Sequence, residues 1–322
     1  MNALVENFKT QKGTSYGVAG NLDFYSVDIF LQEQGYVVDK VFSKGRYYIL
    51  KVSRGGVPSV FKMSTSEGIN EALLNEKSWN EAMHPRVQES EFLRIPQVID
   101  SGSFNGFTYI ITSFFEGDRY VDIIKNGNKE GLEAIIKSNL QIDSIKDVKT
   151  YKNTVEDQMG KSFSSVKERA ESYITVAQNF VKEVNGYELS PLLDLLKGYE
   201  QMDSLGLNHN EFEPYNFIFH KGKVCLYHGE RASARSPRFF DVAVMYSKLY
   251  YTYSLPNLAK QYLSLFVDNL SEDRDYFKFA FKLMLSSRVI GGYWDYARNY
   301  ENSIEMLEKV KGDILNDRIF KF

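Results

Sequence analysis

The chain has 322 residues, 43% of them hydrophobic and 25% charged, which is an ordinary globular composition with enough length for two lobes. A formal net charge of −3 offers no general attraction to nucleic acid or anionic membranes, and no apolar run is long enough to imply a membrane span. The single cysteine, Cys225, excludes a disulfide or a cysteine-rich zinc site within the chain. With no basic-then-apolar leader after Met1, the expectation is a reducing, cytoplasmic location.

Taken in order, residues 1–35 read as an extension whose Asp23–Gln34 stretch has a rough helical period and ends before Gly35. Three strands follow. Tyr36–Phe42 turns at Ser43-Lys44-Gly45 into Arg46–Val52, and Arg54-Gly55-Gly56 leads to Pro58–Met63, an antiparallel meander whose last strand ends in Val60-Phe61-Lys62. Ser66–Met83 then reads as a helix with Ile69, Leu73 and Trp79 inside, and Glu76 shares the broad face of Leu73 and Asn80. Two more strands, Ile95–Phe104 and Phe107–Gly117, meet at Asn105-Gly106, a strong hairpin turn.

From Gly117 to about residue 203 the pattern is largely helical. Ser190-Pro191 suits the start of a leucine-rich helix that leads into the loop at His209. Helices are also expected over Val242–Tyr253, Leu258–Asn269, Tyr276–Ile290 and Tyr293–Val310.

The stretch that organises the chain is His209-Asn210-Glu211-Phe212-Glu213-Pro214-Tyr215-Asn216. It precedes the apolar run Phe217-Ile218-Phe219, the turn His220-Lys221-Gly222-Lys223, and a second run that ends in Leu226-Tyr227-His228-Gly229-Glu230. A hairpin brings its outer ends together, so Glu211, Asn216 and His228 are expected to converge at one point.

This stretch resembles the catalytic core of the aminoglycoside phosphotransferase and choline kinase-like family, whose pattern is His-Gly-Asp-x-x-Pro-x-Asn, a hairpin, then Ile-Asp-(Phe/Trp)-Glu. His209, Pro214 and Asn216 match in residue and spacing. Glu211 stands at the family's catalytic Asp, His228 at its metal-binding Asp, and Phe240-Asp241-Val242-Ala243 looks like its Asp-Leu-Ala. The resemblance implies an α+β, protein kinase-like fold of two lobes: a nucleotide-binding sheet lobe at 36–117 and a mainly helical lobe at 118–322, with residues 1–35 packed on the first.

It also implies roles. Lys62 would hold phosphates and pair with a helix glutamate, Glu76 or its rival Glu71. Gly45 lies where a glycine-rich phosphate cover belongs, although the usual spread of glycines is missing. Backbone groups of Ser113 and Phe115 would meet an adenine ring. Glu211 would act as base, His209 would brace the loop, and Asn216, His228 and Glu230 are the candidate metal ligands. Phosphoryl transfer is mainly positioning and charge neutralisation, so these residue types suit it. Two departures bear on activity. Glu for Asp shifts a carboxylate by roughly 1 Å, a misplacement that matters on this scale. An imidazole in place of a carboxylate is a poor partner for magnesium, which prefers oxygen. The implied cofactor is ATP or another nucleoside triphosphate, with Mg²⁺ or Mn²⁺ in question, and the implied partner is a small-molecule hydroxyl acceptor. Two readings stay open: an ATP-dependent small-molecule phosphotransferase, and a pseudokinase that binds a nucleotide, metabolite or protein without catalysis. Arg288, Tyr293, Trp294, Asp295 and Arg298 form a candidate acceptor cluster.

Overall fold

The structure, a computed structural model, describes residues 22–146, 165–202, 204–271, 273–300 and 302–321. The described residues begin with helix α1 (Phe24–Glu33), capped by Asp23, whose carboxylate accepts from the amides of Tyr25 and Ser26 at 3.1 and 3.2 Å. Strands β1 (Val37–Lys44), β2 (Tyr47–Arg54) and β3 (Val57–Ser64) follow as the expected meander, then helix α2 (Glu67–Val87). After the two-residue strand β4 (Leu93–Arg94) come β5 (Val98–Phe104) and β6 (Phe107–Ser113). The five long strands form one antiparallel sheet in the order β1-β2-β3-β6-β5.

Alternation along the strands assigns the two faces of this sheet. Tyr48, Leu50, Val52, Phe61 and Met63 are buried with Val27 and Leu31 of α1. Their neighbours Tyr47 and Ile49 face the other way and pack with Ile110 against Ile69 and Leu73 of α2. Lys62 shares that second face, paired across the sheet with Ile49 and Ile110. A lysine between two aliphatic neighbours can only be tolerated there if something satisfies its charge.

Helix α2 runs four residues past the expected end at Met83 despite Pro85 in its last turn, where the Arg86 guanidinium donates to the carbonyl of Ala82.

A second sheet, in the order β4-β10-β9-β7, carries the motif hairpin. Its strands β9 (Phe217–His220) and β10 (Lys223–Leu226) are joined by Lys221 and Gly222, both at positive φ, as a tight two-residue turn requires. Strand β10 runs parallel to β4, and β9 pairs antiparallel with β7 (Asp118–Arg119). The hairpin is therefore fastened to chain segments that flank the sheet lobe on either side of β5 and β6.

The remaining described chain is mainly helical: α3 (Tyr120–Lys125), α4 (Leu132–Ser144), α5 (Val166–Glu183), α6 (Ser190–Leu196), α7 (Phe240–Ser247), α8 (Pro256–Asn269), α9 (Arg274–Ala297) and α10 (Ile304–Leu315) share one large apolar core. Part of the expected helical region, 147–164, lies outside the described residues.

Three sequence expectations need correction. The leucine-rich helix is short and tightens into a 3-10 turn at Lys197–Gln201. An unanticipated strand, β8 (Leu205–Asn208), leads into the His209 loop and pairs antiparallel with β11 (Ser233–Pro237). The expected break between Ile290 and Tyr293 is absent, and α9 is continuous. Gly292 sits there because a Cβ would lie 2.7 Å from Leu307 Cδ2, so the glycine permits close helix packing instead of ending the helix. No helix among the described residues is long and apolar enough to cross a membrane.

Candidate functional site

The loop between β8 and β9 is held from beneath by Asp241, the second residue of α7. Its carboxylate accepts from the amides of His209 and Asn210 at 2.6 and 2.7 Å, and its own amide donates to Asn208 Oδ1 at 3.2 Å. Burial pushes the Asp241 carboxyl up to about 7, against the pull of those two amides. Asn210 occupies the family's glycine position at φ 63, a conformation asparagine tolerates better than most residues. Its side chain donates to the Arg231 carbonyl at 2.7 Å and accepts from Ser236 Oγ at 2.8 Å. His209 is fully buried with its ring edge toward Trp79, and burial lowers it to about 4, so it is a neutral packing residue.

Glu211 follows on the same loop. It forms an ion pair with Arg231 at 3.2 Å, yet burial raises its carboxyl to about 7, helped by the charges of Glu230 and Glu213. That value suits a general base near neutral pH. The Asn216 amide nitrogen donates to the Glu211 carbonyl at 2.8 Å, and the Asn216 carbonyl accepts from the Tyr227 amide at 3.2 Å. Glu211, Asn216 and the end of β10 are thus tied together, as the hairpin argument expects.

The sheet lobe meets this loop at Lys62. Its ammonium bonds Glu76 Oε2 at 2.5 Å and His228 Nδ1 at 3.0 Å, and lies 3.9 Å from the centre of the Tyr47 ring. Both side chains of the Lys62–Glu76 pair are about 5% exposed. Glu76, not Glu71, is therefore the partner. Burial raises the Glu76 carboxyl, opposed by Lys62. His228 adopts φ 66 and is kept neutral: burial first, then the Lys62 charge, holds it well below its ordinary value. It therefore adds no positive charge beside Lys62.

Glu230 belongs to a second cluster. Arg46 Nη1 reaches its Oε1 at 3.1 Å, and the Tyr47 hydroxyl donates to its Oε2. Burial raises this carboxyl, but Lys62, Arg46 and the Tyr47 bond outweigh it and the net shift is downward. The same loop is clamped to α2 through Asn75, whose Nδ2 donates to the carbonyls of Glu230 and Ala232, each at 3.0 Å, and more weakly to that of Gly229. Gly229 presses on Trp79 so closely that a Cβ would lie 2.6 Å from the indole Cγ.

Between the lobes is a cavity of about 540 Å³. Ile49, Val60, Ile110 and Thr112 line it on the sheet side, Ser113 and Phe115 at the linker, Ile218, Cys225 and Tyr227 on the hairpin side, and Lys62, Glu76 and His228 at its inner end. Apolar walls with one charged end suit a purine nucleotide. The Ser113 amide donates to the Gln97 carbonyl at 3.0 Å, whereas the Phe115 backbone forms no hydrogen bond among the described residues. Cys225, expected as an inert core thiol, is buried with its pKa raised, but it also borders this cavity. Lys40 and Arg119 line it too and were not singled out from the sequence.

Other expectations do not fit. At the turn, the Gly45 amide that a phosphate cover would offer donates instead to Ser43 Oγ at 3.2 Å, and the carbonyls of Gly45 and Arg46 accept from Thr65 Oγ1. Of the metal candidates, His228 offers only nitrogen, with Nδ1 engaged by Lys62, and Glu230 is engaged by Arg46 and Tyr47, so neither presents an uncommitted oxygen for magnesium beside Asn216. Among the described residues no group of three or more His, Cys, Asp or Glu is placed to hold a metal. The acceptor cluster on α9 is spent on packing. Tyr293 donates to Glu308 at 2.7 Å, and Trp294 and Arg298 both bond Glu183 of α5, at 2.8 and 2.6 Å.

This architecture, a sheet lobe with one lysine-pairing helix set over a helical lobe that carries a loop-hairpin, is the protein kinase-like fold of the aminoglycoside phosphotransferases. Solved structures bear this out. The chain superposes with a TM-score of 0.60 on a thermostable mutant of aminoglycoside phosphotransferase APH(4)-Ia in complex with ADP and hygromycin B, at 17% identity over 92% of this chain and 98% of that one. For the GDP complex of aminoglycoside 2'-phosphotransferase-IIIa the TM-score is 0.54, at 14% identity over 92% and 98%. For the streptomycin–ATP complex of APH(2")-IIa it is 0.52, at 13% identity over 94% and 100%. No protein-family model matches the sequence, and no curated protein does. At such identities the likeness is one of fold.

Proposed function

We propose that this protein binds a purine nucleoside triphosphate in the cavity between its lobes and transfers the γ-phosphate to a hydroxyl of a small molecule. The observation that carries nucleotide binding is the buried Lys62–Glu76 pair at 2.5 Å in the cavity wall. A buried cation on a sheet face is costly unless it serves a ligand or a partner, and here its partner fixes it at the inner end of a purine-sized space. Glu211 is the assigned base. Its raised pKa leaves it able to take a hydroxyl proton near neutral pH, and Asp241 orients the loop that carries it. Asn216 fixes the loop to the hairpin. The solved relatives are held with hygromycin B or streptomycin, and a polyhydroxylated small molecule is the acceptor class proposed for this chain.

A second reading, binding without transfer, is favoured by one observation: His228 replaces a carboxylate and hydrogen-bonds Lys62. Metal normally supplies two positive charges to the triphosphate, and the donor set here does not suit one. The deciding experiment is a thermal shift with ATP, GTP and adenosine, followed by a γ-phosphate transfer assay against a panel of hydroxylated small molecules with and without Mg²⁺ or Mn²⁺. The phosphotransferase reading expects a nucleotide-dependent shift and transfer that Glu211→Gln abolishes. A shift without transfer to any acceptor supports the second reading. No shift with any nucleotide overturns both.

A further inference from the structure

The turn between β1 and β2 lies where a phosphate cover would sit, but its Gly45 amide is bonded to Ser43 Oγ, as described above. Of the cations on it, Lys44 stands over the rings of Phe24 and Tyr48, at 5.2 and 5.5 Å, on the α1 face of the sheet and away from the cleft. Arg46 points the other way. It reaches across to Glu230, in the loop after the hairpin, while its side chain stays 41% exposed. The next residue, Tyr47, ties the same patch to Lys62: its ring lies under the ammonium and its hydroxyl bonds Glu230. The Arg46 guanidinium lies 5.4 Å from the centre of the same ring, so Tyr47 is in contact both with Arg46 and with Lys62 at the inner end of the cavity.

Charge makes this arrangement informative. The cluster holds two cations, Lys62 and Arg46, and two carboxylates, Glu76 and Glu230, each cation engaged by one of them. The imidazole of His228 adds no negative charge and no oxygen donor for a metal. A triphosphate therefore needs protein cations more than it does where a metal is held. Lys62 already bonds Glu76 and His228, which commits two of its three N–H groups, and its ammonium lies 3.9 Å from the centre of the Tyr47 ring. Arg46 has five N–H donors in a planar fork that matches phosphate, and its partner here is a carboxylate of similar acceptor geometry.

We infer that Arg46 is a second phosphate-binding cation of this cleft, beside Lys62, and that Glu230 is the internal acceptor which a nucleotide phosphate displaces from it. The inference rests on the nucleotide reading above and adds a residue that the motif comparison does not supply. It makes Glu230 a competitor of the ligand rather than a metal ligand, so nucleotide affinity is set partly by the Arg46–Glu230 ion pair.

The experiment measures affinity for ATP and, separately, adenosine by calorimetry in EDTA. The proteins are wild type, Glu230→Gln, Arg46→Ala, Arg46→Lys and the Glu230→Gln/Arg46→Ala double variant. Glu230→Gln keeps the side-chain shape and an acceptor for Tyr47 while removing the competing charge. It is expected to tighten ATP binding about tenfold, the gain when a competent state rises from roughly a tenth to full population. Arg46→Ala should weaken ATP binding by about tenfold or more, and Arg46→Lys should recover only part of it, for want of the fork. The double variant should match Arg46→Ala, because Glu230 acts through Arg46. Adenosine, which lacks phosphates, should bind all five proteins alike. If Glu230→Gln fails to fold, Tyr47→Phe replaces it, and a smaller tightening of ATP binding is expected. Unchanged or weaker ATP binding in Glu230→Gln, or unchanged binding in Arg46→Ala, overturns the inference and leaves the nucleotide reading intact. Absence of both ATP and adenosine binding in folded wild type and Glu230→Gln overturns the two together.

Discussion

Nδ1 of His228 accepts a hydrogen bond from Nζ of Lys62 at 3.0 Å, because an ammonium can only donate. The lysine of the sheet lobe is thereby held from both sides, by Glu76 on α2 and by the residue that closes the hairpin of the helical lobe. One side chain fastens the two lobes at the inner end of the cleft.

The first prediction follows from the burial of that lysine. Replacing Lys62 with Met leaves the Glu76 carboxylate buried without its partner, which costs about 3–5 kcal/mol. The Lys62→Met/Glu76→Met double variant removes both charges and should recover most of that loss. Urea unfolding midpoints of the three proteins check it. A cost below about 1 kcal/mol for Lys62→Met would mean that the pair is not an isolated buried couple. Nucleotide-induced stabilisation should vanish in both variants, which separates the ligand role from the structural one.

His228→Asp is expected to change the metal requirement. Aspartate tolerates the left-handed conformation at this position, where φ is 66, so the backbone need not move. The new carboxylate supplies an oxygen donor near Asn216 and a negative charge beside Lys62. Wild-type ATP affinity should differ little between EDTA and Mg²⁺, whereas the variant should bind markedly tighter with Mg²⁺. Nor should wild-type affinity change sharply between pH 6 and pH 8 on account of this imidazole, since burial and Lys62 hold its pKa well below that range. A strong Mg²⁺ dependence in wild type would falsify the assignment of this site as metal-poor.

Local pattern carried the parts of this molecule that depend on short-range chemistry. The meander, the Asn105-Gly106 hairpin and the hairpin over Phe217–Leu226 follow from alternation and turn residues, whereas the Lys62–Glu76 pair comes from the family resemblance, with Glu71 as its rival. The Arg46–Glu230 contact joins residues 184 positions apart, and no local signal marks it. Asn75 was passed over because a polar residue next to Glu76 reads as helix surface; only the packing of α2 on the Gly229 loop turns it inward. Asp241 was legible as a motif residue, but its hold on the loop amides depends on β8, a strand too short to be read from its own pattern. Gly292 misled in the opposite sense, since a glycine that serves helix–helix contact looks in sequence like one that ends a helix.

The contact between Gly229 and Trp79 gives a third prediction. The indole is fully buried, and a methyl group at position 229 would overlap it, so either the loop that follows His228 or helix α2 must shift. Gly229→Ala should destabilise by about 1–3 kcal/mol, the usual cost of overpacking, and Trp79→Ala by about 3–5 kcal/mol through the lost burial and the cavity left behind. In the double variant the methyl has room, so the two costs should be less than additive, which a double-mutant cycle on denaturation midpoints measures. Full additivity would mean that the loop and α2 are not in direct contact.

The last prediction concerns Glu211, where the proposed base chemistry and stability are linked through one proton. Its carboxyl is raised to about 7 in the folded chain, above an ordinary value of 4.5. Between those values the folded protein keeps a proton that the unfolded chain has released, so this group's contribution to stability falls as pH rises through the window and levels off above about 7. His209 and His228 act in the opposite sense. Their folded values lie below 6.5, so the unfolded chain gains protons first and stability falls as pH drops beneath about 6.5. Both histidines are present in Glu211→Gln, and their effect cancels in the difference from wild type. That difference should therefore favour the variant increasingly from pH 5 to about pH 7 and level off above it, by about 1–3 kcal/mol in all. If the protein transfers phosphate, the wild-type rate should rise with pH through about 7, as a base must be ionised to work, and Glu211→Gln should lose about 10²–10⁴-fold in rate with unchanged ATP affinity. A stability difference that is flat with pH would place the Glu211 carboxyl at its ordinary value, and the rise in rate should then disappear from the pH profile as well.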